Sequence, residues 1–76
     1  MQTLQFQMRG EFIELHKLLK LEGVCASGGE AKMLVASGAV RVDGALELRK
    51  ACKIRAGQSV ETGAVRIAVL GSGAPP

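Results

Sequence analysis

The strongest chemical signal in the sequence is the run Ser27-Gly28-Gly29-Glu30-Ala31-Lys32. Ser27 is placed to cap a helix, and Glu30 stands three residues later to complete a capping box. Two glycines after a cap leave backbone N–H groups uncovered, and the positive end of the helix dipole points outward with them. The chemistry this suits is anion binding. Lys32 sits one turn in, and Lys17 and Lys20 lie on the preceding segment, so a phosphate near Ser27 would meet backbone donors and ammonium groups together. An ordinary cap beside solvated lysines would use the same residues.

A second basic group is denser: Arg49, Lys50, Lys53 and Arg55 fall within seven residues, with Arg41 upstream. In a regular strand Arg49, Lys53 and Arg55 would share one side and Lys50 would take the other. A solvated charged surface competes with an anion site here as well.

The groups that could do covalent or acid–base chemistry are sparse. His16 flanks an apolar stripe with no nucleophile at a useful spacing, which predicts a partly buried structural histidine. Glu11 and Glu14 read as solvated charges one helical turn apart. Cys25 and Cys52 lack Cys-x-x-Cys spacing and have only His16 to help them, so they predict two reduced thiols and no metal site. The glycines after Ser27 lack the spacing of a nucleotide P-loop. No catalysis, metal or cofactor is expected.

The elements that must position these residues follow from periodicity. Leu4, Phe6 and Met8 alternate with polar neighbours up to Gly10, which predicts an edge strand with an exposed apolar face. Phe12, Leu15, Leu18 and Leu19 recur at helical spacing and predict a helix over 11–22, stopped by Gly23. A second, short helix runs from Ser27 to Gly38 with Ala31, Leu34 and Val35 inward. Val40 and Val42, the Asp43-Gly44 turn signal, and Leu46 and Leu48 predict a hairpin. A strict two-residue loop would place Leu46 on the face opposite Val42, so a bulge or longer turn is expected. Ile54 and Val60 flank an Ala56-Gly57-Gln58 turn, and Val65, Ile67 and Val69 close the sheet after Thr62-Gly63. Residues 71–76 predict a disordered tail.

Length and composition bound the rest. Seventy-six residues suffice for one domain, assigned here to 1–70. Ten Lys and Arg against seven Asp and Glu give a net charge of +3, a mild preference for acidic or nucleic-acid partners. Two Phe with no Tyr or Trp argue against aromatic platforms for stacking exposed bases, and favour recognition of shape and phosphate. No apolar run approaches a signal peptide or the ~20 residues needed to span a bilayer, so a cytoplasmic location is expected, with no membrane partner.

The segment LHKLLKLEGVCASGGEAKMLVASGAVRVDG resembles the RNA-binding domain named after small-subunit ribosomal protein S4. The likeness covers Glu11 to about Val60. It rests on the Ser27 to Lys32 helix start, the Gly38 to Gly44 turn with Asp43 where Asn is more usual, and Ala56-Gly57-Gln58. LLKLEG, SGGEAK, VDGALELRKACKI and AGQ are most similar to the YbcJ-like branch of small bacterial proteins, which are essentially this domain alone with an added N-terminal strand. The sequence departs from the pattern at Glu30, where many members carry Arg, and at Gln58, where many carry Asp. Glu30 takes a charge from the expected face and is assigned a capping role.

The resemblance implies an α+β fold, two packed helices against a small mostly antiparallel sheet, known as the alpha-L motif. It implies a basic RNA-binding face containing Ser27, Gly28, Gly29, Lys32, Arg41, Asp43, Arg49, Lys50 and Lys53, to which the residues themselves add Lys17 and Lys20. The expected function is non-catalytic binding of structured RNA, ribosomal or transfer RNA above all, through phosphates, by a monomer without a small-molecule substrate. Three to five phosphate contacts would give a log affinity against log salt slope of roughly −2 to −5. The competing class is a ribosome- or assembly-associated protein adaptor that uses the basic surface or the N-terminal edge strand. An enzyme with a pocket at His16 or Cys25 ranks third.

Overall fold

The computed structural model describes residues 2–71, so most of the expected tail, 72–76, lies outside the described residues. In chain order the elements are β1 (Gln2–Gln7), β2 (Ile13–Glu14), α1 (Leu15–Leu21), α2 (Gly28–Ala36), β3 (Val40–Val42), β4 (Ala45–Leu46), β5 (Lys53–Ile54), β6 (Ser59–Thr62) and β7 (Val65–Leu70). Five strands form one sheet in the order β1-β7-β6-β3-β4, and β2 pairs separately with β5. All pairs are antiparallel except β1 with β7, which run parallel because almost the whole domain intervenes between them. The class is α+β, two helices against a mostly antiparallel sheet.

β1 is an edge strand, as its alternation predicts, but its apolar face is not exposed. Leu4 stands opposite Ile67 and Phe6 opposite Val69, and both pack on the core, leaving Thr3, Gln5 and Gln7 outward. The core lies between this inner sheet face and the helices. Leu15, Leu18 and Leu19 of α1, Ala31 and Val35 of α2, and Val40, Val60 and Ile67 of the sheet are all essentially sealed from water. No helix among the described residues is long and apolar enough to cross a membrane.

The first helix is shorter than its spacing predicts. It begins at Leu15, because Ile13 and Glu14 pair with Ile54 and Lys53 instead of coiling. Its first two N–H groups donate to the Cys52 and Lys50 carbonyls at 2.9 and 3.0 Å, so a distant loop satisfies donors that no side chain caps. Phe12 therefore falls outside the helix and off the core, and Glu14 sits in a strand and not on a helix flank.

The second helix starts where its cap signal places it. Ser27 Oγ accepts the Glu30 N–H at 3.1 Å, while the Glu30 carboxylate reaches back to the Ala26 N–H, one residue beyond the usual box partner. Gly38 ends the helical segment at φ +83, a left-handed conformation that favours glycine.

The hairpin needs no bulge. Val42 faces Ala45 across a strict two-residue turn in which Asp43 and Gly44 both have positive φ, 51° and 82°. The register conflict is resolved by leaving Leu46 outside: it stands opposite Arg41 and is 53% exposed.

Candidate nucleic-acid interface

The segment between β4 and β5 adopts no regular structure, and this irregularity assembles the candidate site. Turning the Lys50 and Cys52 carbonyls into the start of α1 anchors the loop against that helix. A depression of about 770 Å³ opens there. Lys32 borders it from α2, and Arg49, Lys50 and Lys53 border it from the loop and β5. The regular-strand alternation, which would send Lys50 away from its neighbours, does not apply. Between the cations the wall is Ala36, Leu48, Ala51 and Cys52.

The cations differ in how committed they are. Arg49 is clamped by Glu47, with Nε 3.0 Å from Oε2 and a terminal nitrogen 3.2 Å from Oε1. That guanidinium, with the Arg49 backbone N–H on the same carboxylate, brings the Glu47 carboxyl down from its ordinary 4.5 to about 2. Lys32, Lys50 and Lys53 make no ion pair among the described residues. Lys53 instead lies 4.9 Å from the centre of the Phe12 ring, and Arg55 lies 5.9 Å from it.

Lys17 adjoins the site through Glu14. Its Nζ is 3.0 Å from Glu14 Oε1, and this bond, with His16 and Lys32 at longer range, holds the Glu14 carboxyl below the usual carboxylate range. Glu14 is also the strand partner of Lys53, so one carboxylate is set among several cations. Ser27, Gly28 and Gly29 lie one turn before Lys32. A side chain added at Gly28 would meet nothing within 4 Å, so that helix end is open to approach, although the Glu30 carboxylate already occupies part of it. Lys20 is exposed in the last turn of α1, where its charge complements the helix dipole, and does not border the depression.

Two expected residues stand elsewhere. Arg41 is the outward residue of β3, between Leu46 and Glu61 on the sheet face away from the core. The Asp43 carboxylate accepts the Ser59 N–H at 2.9 Å and the Gln58 side-chain amide at 3.3 Å, which ties the hairpin to the following turn. Gln58 thus has a structural use here, its own Oε1 accepting the Arg55 N–H at 2.7 Å.

Phe12 and the apolar wall carry no mark in the sequence as parts of this surface, whereas Arg55 stands in the basic group over 49–55. Phe12 shares the heptad-like spacing of the α1 core residues, and nothing in the sequence separates it from them. The basic density at 49–55 was the available signal for Arg55.

No activated nucleophile emerges. Burial, with Glu30 nearby, pushes the Cys25 thiol up, and burial likewise raises Cys52, so both are neutral at physiological pH. His16 is half-buried and lies 3.7 Å from Glu14. Among the described residues no group of three His, Cys, Asp or Glu could hold a metal ion.

Two helices, a tight hairpin and a cation-rimmed loop between them define a small α+β domain of the αL type. The S4 domain family model matches residues 6–70, and the chain belongs to that family. It is 60% identical over 48 residues to YbcJ of Escherichia coli (strain K12), 63% of this chain and 69% of that one, a protein whose name carries a provisional RNA-binding assignment. An uncharacterized YbcJ from Shigella flexneri matches to the same extent. The solution structure of Escherichia coli YbcJ, described as revealing an αL motif involved in RNA binding, superposes with a TM-score of 0.64 at 46% identity, covering 92% of this chain and 87% of that one.

Proposed function

We propose that this protein binds structured RNA without catalysis, holding phosphates with the cations around the depression between α2 and the β4–β5 loop. The observation that carries this is the convergence of Lys32 with Lys50 and Lys53 from distant parts of the chain, none of them in an ion pair among the described residues. Ammonium groups so placed release counterions from phosphate when RNA docks. Family membership and the RNA-binding description of YbcJ point the same way. Ribosomal and transfer RNA, both rich in folded helices, are the RNAs this surface suits, in the cytoplasm and by a monomer.

Fluorescence anisotropy against an RNA hairpin, an unstructured single strand and duplex DNA, at several salt concentrations, tests the proposal. With three or four phosphates engaged, the hairpin should bind best, with a log–log salt slope of roughly −2 to −4. Lys32→Glu with Lys53→Glu should abolish that binding in a folded protein. Equal, weak, mutation-insensitive binding to all three would favour a protein adaptor that uses the basic surface.

A further inference from the structure

The cations do not surround a polar basin. Half of the residues lining the depression are apolar, and they lie between the charged ones: Ala36 on α2, and Leu48, Ala51 and Cys52 on the loop. Leu48 is 56% exposed and shares this lining with Ala36 and Ala51, so apolar surface is grouped here and not scattered singly. Ala36 and Ala51 are small enough to leave a shallow, flat wall, and no carboxylate lines it.

An evenly charged phosphate backbone makes no use of such a wall. A nucleotide whose base has left the stack does, because it presents an apolar aromatic face between two phosphates. We propose that the depression receives one unpaired nucleotide of an otherwise helical RNA, its base on Ala36, Leu48 and Ala51 and its flanking phosphates on Lys32 and Lys50. The RNA class is then a helix interrupted by a bulge or closed by a loop. This rests on the RNA-binding proposal above and narrows its ligand. Charge complementarity and the alternation of cationic and apolar lining favour it over an acidic peptide, whose backbone would need hydrogen-bonding groups on the wall.

The test compares a fully paired, blunt-ended two-strand RNA stem with the same stem carrying a single bulged 2-aminopurine, titrated with the whole protein. The bulged RNA should bind about tenfold tighter, with a clear change in 2-aminopurine emission. Ala36→Leu with Ala51→Leu fills the wall without altering charge, and should bring the bulged and fully paired RNAs to the same affinity. Leu48→Ala, at a position 56% exposed, should weaken the preference independently. Equal affinity for the two RNAs with unchanged emission would overturn the inference and leave the RNA-binding proposal standing. Binding to neither RNA, or binding that ignores salt, would overturn both, and tighter binding of an acidic peptide than of either RNA would replace the nucleotide as occupant.

Discussion

Glu47 grips the Arg49 guanidinium with both carboxylate oxygens, at 3.0 and 3.2 Å, on the rim of the cationic depression. The pair stands in the loop segment just before Lys50, and it partly neutralises Arg49. Its carboxyl titrates at about 2 when folded against an ordinary 4.5. A lowered carboxylate pKa contributes stability that is fully present above the unfolded value and is lost as pH falls toward the folded one. Thermal denaturation should therefore show a stability decline between about pH 4.5 and pH 2 that Glu47→Gln flattens. An unchanged pH profile in Glu47→Gln would show that the clamp does not form in solution.

Glu14 is the one carboxylate set among Lys17, Lys32 and Lys53. Removing its charge frees Lys17 and raises the local positive potential. Glu14→Gln should tighten hairpin RNA binding several-fold at low salt and steepen the salt slope by up to about one unit. Weaker binding by the variant would mean that Glu14 itself orders the site.

Lys32 and Arg41 carry the same charge on different faces of the domain. Lys32 borders the depression, whereas Arg41 points outward from β3 beside Glu61. In anisotropy titrations Lys32→Glu should lower RNA affinity by about tenfold or more, and Arg41→Glu by much less. Equal losses would mean that net charge, and not this site, governs binding.

Asp43 supports the hairpin through bonds to the Ser59 N–H and the Gln58 amide. Chemical denaturation of Asp43→Ala should show a loss of about 1 to 2 kcal/mol, with Asp43→Asn, which keeps an acceptor, close to the parent. Under conditions where both variants are folded, RNA affinity should be retained. Loss of affinity in folded Asp43→Ala would return Asp43 to the RNA-contacting surface.

Local signals were legible wherever the chain satisfies itself. The Ser27 cap, the Gly38 stop and the Asp43-Gly44 turn are each determined by a few adjacent residues. Misplacements arose where distant segments decide. Phe12 has the spacing of Leu15, Leu18 and Leu19, yet Ile13 and Glu14 are claimed by Ile54 and Lys53, a pairing separated by forty residues of sequence that no periodicity reveals. Leu46 is a local case: the alternation runs on through it, but the adjacent tight turn sets the register and turns it outward. The candidate site was half legible: the basic residues show in composition, whereas their convergence depends on an irregular loop tied to α1 through backbone carbonyls. Backbone carbonyls are the same in every residue, so the sequence carries no mark of that tie.

Backbone amide NMR of the protein titrated with an RNA hairpin locates the bound surface directly. Shift changes should be confined to Lys32, Ala36, the segment from Leu48 to Lys53 and the start of α1, with the outward face around Arg41 and Arg66 and the β1 edge unchanged. Changes centred on β1 or on that outward face, with 48–53 silent, would contradict the proposal.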